Sequence, residues 1–210
     1  MARPPFEQLP AARRNEILRV AAEEFARSGF HGTSYNRLLE RLKLGKSSAY
    51  YYFDDKRDLF LTALRSCYEN FFGATKRLER PTNAEGFWAF VLRVTTRGYG
   101  LMLEDPTAAH LMQCMQREKA LLGELVSTEV LASMEGFYRD VISEGQRLGA
   151  IRTDLPEGLL ADLVRDVAMS FDRWFVVERA RGAAAATPAE AARHFTDVAR
   201  RICGPPVGPS

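Results

Sequence analysis

The stretch Gly45 to Lys56, GKSSAYYYFDDK, places three tyrosines and a phenylalanine in succession. Consecutive aromatics favour a β-strand, yet the sequence on both sides has helical periodicity. If residues 46–53 are helical, each turns about 100° from the last. Ala49 and Phe53, four apart, then share one apolar direction, and Ser47 with Tyr51 point the opposite way. Lys46 with Tyr50 take one flank and Ser48 with Tyr52 the other. The outer arc carries an ammonium, hydroxyls and phenols, all able to hydrogen-bond. Three successive tyrosines cannot all face one core, so Tyr51 at least is expected on the surface.

Upstream, Ile17, Val20, Ala21 and Phe25 mark the apolar face of a helix over about 10–28, with Gly29 as a stop signal. Thr33 or Ser34 can cap a short helix in which Tyr35, Leu38, Leu39 and Leu42 form one stripe. Lys43-Leu44-Gly45 is then a tight connection. A short helix, a three-residue turn with Gly and a second helix with a polar outer arc make a helix-turn-helix. Its second helix fits a DNA major groove, its N-terminal residues reaching base edges and its flanks reaching phosphates. Arg41, Lys43 and Lys46, with no acid in 41–53, form a small positive patch suited to phosphate. Asp54 and Asp55 are placed to cap the next helix, where Lys56 adds a further charge.

Residues from about Arg13 to Leu64 resemble the DNA-binding domain of the TetR family of transcription regulators. The resemblance rests on Ile17-Leu18, Ala21-Ala22, Phe25, Gly29-Phe30, Thr33-Ser34, Tyr50-Tyr51-Tyr52-Phe53, then Lys56, Leu59 and Phe60, in that order and spacing. It implies an all-α fold: an N-terminal three-helix helix-turn-helix DNA-binding domain followed by a larger helical ligand-binding and dimerisation domain. It implies a homodimer on palindromic double-stranded operator DNA, more in keeping with a repressor than an activator, released by a small, largely apolar effector. By position, Lys46, Ser47, Ser48 and Tyr51 correspond to groove-facing residues, and Ser34, Tyr50, Tyr52 and Lys56 to residues near phosphate. Asn36 and Arg37 stand where such proteins also reach DNA. The turn departs from the family's frequent Ala-Gly-Val-Ser. Lys43 replaces the glycine and is expected at φ > 0, Gly45 replaces the capping serine, and Ala49 stands where leucine is common.

The remainder also reads as helices, about nine in all. After the helix that begins near residue 56, further stretches cover about 84–104, 107–120, 122–148 and 157–181. A last helix opens on Thr187-Pro188-Ala189-Glu190, a capping box, and ends near Cys203. The domain organisation read from this is 1–55 for DNA, 56–203 for ligand and dimerisation, and 204–210 as a disordered tail. Phe90, Arg97, Met102, His110, Met115, Phe137, Phe171 and Trp174 are candidates for an apolar pocket with a few polar groups, Gln113 and Asp172 adding to the latter. The resemblance implies that the last two helices meet those of a two-fold mate, with Leu163, Val167, Phe195, Val198 and Ile202 at the contact.

Bulk properties bound the alternatives. The 210 residues are 46% hydrophobic and 27% charged with net charge +2, a globular balance and not that of a generally basic nucleic-acid coat. The excess is local: residues 1–60 hold 11 Lys/Arg against 8 Asp/Glu. Cys67, Cys114 and Cys203 lie far apart and suit reduced thiols. No apolar run reaches the roughly 20 residues of a membrane span, and no signal peptide is evident, so a cytoplasmic protein is expected. No HExxH, P-loop or dinucleotide fingerprint points to an enzyme or a cofactor. His110 and Cys114, four apart, are two ligands alone and a poor metal site. The competing class is a helix-turn-helix module with an architectural or protein-binding role and no effector.

Overall fold

The computed structural model describes residues 2–76, 78–117, 128–182 and 186–206, apart from the side chains of 72, 74–76, 113, 115–117, 128–134 and 180. Among them are ten helices and no strand: α1 (Pro4–Glu7), α2 (Ala11–Gly32), α3 (Tyr35–Arg41), α4 (Lys46–Tyr52), α5 (Lys56–Lys76), α6 (Ala84–Glu104), α7 (Pro106–Arg117), α8 (Thr128–Arg147), α9 (Glu157–Arg181) and α10 (Pro188–Cys203). The all-α class and most helix bounds agree with the sequence reading. The short α1 escaped it, because a single turn has no periodicity to detect.

Helix starts follow capping chemistry. Asp55 Oδ1 accepts the Asp58 N–H at 2.8 Å, Asn83 Oδ1 the Gly86 N–H at 2.8 Å and Asp105 Oδ1 the Ala108 N–H at 2.9 Å. At α10 the expected capping box is present, Thr187 N–H donating to Glu190 Oε2 at 2.9 Å and Glu190 N–H to Thr187 Oγ1 at 3.2 Å. Gly29, the expected stop, has φ 69 and breaks α2 before its last three residues.

The chain divides into two compact units, residues 1–72 with 104–130 and residues 73–103 with 131–210. This grouping differs from the linear division expected at residue 55. The boundary falls inside α5, and α7 belongs with the N-terminal helices because it packs along α2; its Ala109, Leu111 and Cys114 are buried. The first unit is centred on Ile17, Phe25, Leu38, Leu42, Phe53, Phe60 and Leu64, all fully buried. Phe25, Phe30 and Phe60 pack together there with centroids 5.0–6.2 Å apart, Phe60 meeting Phe25 edge to face.

The second unit has its own core of Phe87, Ile142, Ile151, Leu160, Val164 and Phe195. Gly145 is required in it: a Cβ there would lie 2.6 Å from Ile151 and 2.7 Å from Phe87. Cys203 O accepts the Arg152 N–H at 2.8 Å and Gly204 N–H closes α10 on Arg200 O at 2.8 Å. The first residue of the expected tail is thus bonded, while 207–210 lie outside the described residues.

Candidate nucleic-acid interface

The turn before α4 is a Schellman motif. Lys43 N–H donates to Glu40 O and Leu44 N–H to Leu39 O, each at 3.0 Å. The residue after the cap must be left-handed, and Lys43 has φ 52, the one non-glycine with positive φ among the described residues. The expectation from the missing glycine is met. Gly45 serves as N-cap without a side-chain bond.

Helix α4 then presents its residues as the periodicity requires. Ala49 and Phe53 are both 0% exposed, whereas Tyr51 is 59% and Tyr50 51% exposed. Lys46, Ser47 and Ser48 are exposed, and Tyr52 is half-buried. From α3 and its cap, Ser34, Asn36 and Arg37 are also exposed. Arg37 makes no ion pair among the described residues. All of these groups lie in the first unit, on α3, α4 and the α3 cap.

Two cations behave differently from expectation. Arg41 does not belong to a free positive patch, because its guanidinium pairs with Glu24 and lies 3.5 Å from Glu23. Glu24 is buried, and its carboxylate also holds Arg27 at 2.5 Å. Burial alone would raise its pKa, but the Arg27 and Arg41 bonds outweigh that and hold it below the usual carboxylate value. Lys56, expected near phosphate, donates instead to Phe30 O at 2.8 Å and Thr33 O at 2.9 Å, with its ammonium 4.5 Å from the Phe30 ring. It pins the connection between α2 and α3. Arg13 pins the other side, donating to Leu42 O at 2.7 Å. The Tyr35 hydroxyl is buried without a hydrogen-bond partner among the described residues, and burial pushes its pKa up to about 12.

Sequence reasoning missed the N-terminal arm. Phe6 is buried against Phe53 and Tyr52, and Arg3 bonds to the end of α4. The signal available was one aromatic after Pro4-Pro5 in a short proline-rich stretch, too little to assign.

In the second unit Phe90 and Met102 are buried, and Arg97, Phe137 and Phe171 are half-buried. His110 is exposed on α7 of the first unit, so it is not among these interior groups. Trp174 is 37% exposed and likewise leaves the interior set. The side chains of Met115 and Gln113 lie outside the described residues. Tyr99 and Tyr138 lie in the same unit, and the ring of Phe175, which was not anticipated there, is 4.6 Å from that of Tyr99. Asp172, three residues before Phe175, has no hydrogen bond or ion pair among the described residues, and burial pushes its pKa up to about 7. Burial, with Asp172 nearby, also pushes both phenols upward.

The expected interface set needs one correction. Phe195 is 6% exposed and packs on Phe171 at 5.9 Å, a core residue that has no surface to offer. Val167 and Ile202 are half-buried against the same core, and Val198 is half-buried. The exposed apolar stripe of α9 is Leu159, Leu163, Trp174 and Val177, at helical spacing.

Residues 17–63 match the family model described as bacterial regulatory proteins, tetR family. That match spans the N-terminal part of the chain, from within α2 into α5. It is 26% identical over 180 residues to the HTH-type transcriptional repressor KstR2 of Mycolicibacterium smegmatis, covering 82% of this chain and 83% of that protein. It is 27% identical over 151 residues to the HTH-type transcriptional repressor NicS of Pseudomonas putida, covering 68% and 67%. In fold it is similar to a tetR-family regulator from a Shewanella species, with TM-score 0.73 at 16% identity over 91% of this chain and 98% of that one. It is also similar to FadR from Bacillus subtilis, solved in complex with stearoyl-CoA, with TM-score 0.70 at 15% identity over 88% and 96%. These relatives are transcriptional regulators, not enzymes. No helix among the described residues is long and apolar enough to cross a membrane.

Proposed function

We propose that this chain is a ligand-responsive transcriptional repressor of the TetR family that binds a palindromic operator as a homodimer. The observation that carries the reading is the division of α4: Ala49 and Phe53 wholly inside, Lys46, Ser47, Ser48, Tyr50 and Tyr51 outside. Lys46, Ser47, Ser48 and Tyr51 read base edges in the major groove, and Ser34, Tyr50 and Tyr52 bond phosphate oxygens, with Asn36 and Arg37 beside them. Lys56 acts as a pin and not as a phosphate ligand, because two of its three N–H groups are already used.

The apolar stripe of α9, with Val198 and Ile202 of α10, supports the dimer, since an isolated surface has no use for Leu159, Leu163 and Val177. Two-fold symmetry then sets the recognition helices about 34–36 Å apart, one turn of DNA. The aromatic interior of the second unit receives a small, largely apolar effector, with Asp172 and the Tyr99 and Tyr138 phenols as polar contacts. A fold neighbour solved with an acyl-CoA supports an apolar class. Release is a population shift: the effector binds better to a conformer whose recognition helices are wrongly spaced.

Selection from a random-sequence duplex pool tests the reading. The full-length protein should enrich an inverted repeat and sediment as a dimer, and Leu163→Glu should give monomer and lose the repeat. Enrichment of no sequence, or wild-type monomer at micromolar concentration, would overturn it.

A further inference from the structure

Helix α4 has seven residues, too few to hold itself in water, so its pose depends on what grips each end. The Schellman turn and Arg13 hold its beginning. Its end is held from the far N-terminus. Arg3 N–H donates to Tyr52 O at 2.9 Å, satisfying a carbonyl in the last turn that the helix itself leaves unpaired. The Arg3 guanidinium pairs with Asp54, Nε to Oδ1 at 2.9 Å. Phe6 is 1% exposed, its centroid 4.8 Å from Phe53 and 6.2 Å from Tyr52.

The arm is itself anchored elsewhere in the first unit. Arg14 donates to Glu7 O at 2.7 Å, and Arg65 lies 3.6 Å from the Glu7 carboxylate. A displacement of the arm would be felt at Tyr52, beside the outward Tyr51.

We propose that residues 3–6 are a clamp that positions the recognition helix, Phe6 and the Arg3 backbone fixing the direction in which Tyr51 and Tyr52 present their phenols. Arg3 and Phe6 are positioning residues: neither is assigned a DNA contact. The functional consequence rests on the DNA-binding reading, whereas the structural consequence does not.

Arg3 sits at φ −75, a value proline accepts, so Arg3→Pro deletes the N–H with little local strain. Arg3→Ala keeps the N–H and removes only the exposed ion pair. Both, with Phe6→Ala and Phe6→Leu, are made in the full-length protein. Hydrogen exchange without DNA is read at the Tyr52 and Phe53 amides. Affinity is read on the duplex that wild type selects from a random pool and on a scrambled duplex of equal composition.

Arg3→Pro and Phe6→Ala are expected to raise exchange at those amides about tenfold. They should weaken the selected duplex about tenfold while leaving the scrambled one unchanged. Arg3→Ala and Phe6→Leu should stay near wild type. Unchanged protection in Arg3→Pro overturns the clamp, and so does equal loss on both duplexes. Raised exchange with an unchanged affinity ratio overturns its role in recognition. Should Phe6→Ala fail to fold, Arg3→Pro decides alone. If wild type selects no duplex, the DNA-binding reading fails, and the exchange data still judge the clamp.

Discussion

Glu24 in the first unit and Asp172 in the second are both acids with interior surroundings, and they are treated in opposite ways. Glu24 is met by two guanidiniums and held below its usual pKa. Asp172 lies near the Tyr99 and Tyr138 phenols and is pushed up to about 7 by burial. The same contrast extends to the neighbours. Two cations that flank α4 are committed to the scaffold, Arg13 to Leu42 O and Lys56 to Phe30 O and Thr33 O. Such commitments pre-organise a surface, which lowers what binding must spend on ordering it. An interior carboxyl without a bond among the described residues is the reverse, a group that a ligand can satisfy.

The contrast can be broken in several places. Phe53→Ala removes the ring on which α4 and Phe6 both rest, and should cost about 3–5 kcal/mol in the denaturant unfolding of the full chain. A loss within error would mean that α4 is not anchored from inside. Glu24→Gln leaves Arg27 and Arg41 without their carboxylate. Because both guanidiniums are partly exposed, the loss should be about 1–2 kcal/mol, well under that for a fully buried pair.

The two acids should also give pH dependences of opposite sign. Glu24 is depressed in the folded state, so its contribution is full above its unfolded value and fades as pH falls through the folded one. Asp172 is raised, so the folded state binds more protons between about 4 and about 7, and stability falls as pH rises through that window. Asp172→Asn should abolish that fall, lifting Tm by a few degrees at pH 8 and by little at pH 4. Equal shifts at both pH values would show that Asp172 titrates normally.

The smallest effect is at the turns. The motif before α4 recurs after α8, where Gly149 N–H bonds to Gln146 O at 3.0 Å and Ala150 N–H to Gly145 O at 2.8 Å. Gly149 has φ 71 where Lys43 has φ 52. Lys43→Gly should therefore stabilise the chain by about 0.5–1 kcal/mol, read as a raised Cm in urea. A destabilisation would mean that the lysine side chain does more for the fold than its backbone costs.

Local chemistry made much of this legible in the sequence. Ala49 and Phe53 face inward because four residues make a near-complete turn, and the Thr187–Glu190 box, the Asp55 cap and the left-handed Lys43 follow from residue type at fixed spacing. Partnerships across the fold were not legible. Nothing within 41–53 says that Arg41 is neutralised by an acid 17 residues earlier, or that Lys56 turns back to Phe30 O. Phe195 and Leu163 are both apolar on amphipathic helices, and only packing tells core from surface stripe. Phe6 depends on contacts nearly fifty residues away.

The central claim is that the outer arc of α4 reads DNA, and Tyr51→Ala beside Lys46→Ala tests it most directly. Each is titrated at fixed salt against the duplex selected by wild type, with thermal melting as a control. The account expects specific binding to be lost in both variants while Tm stays within a degree or two, since both residues are exposed. Wild-type affinity in either variant, with the fold intact, would contradict it.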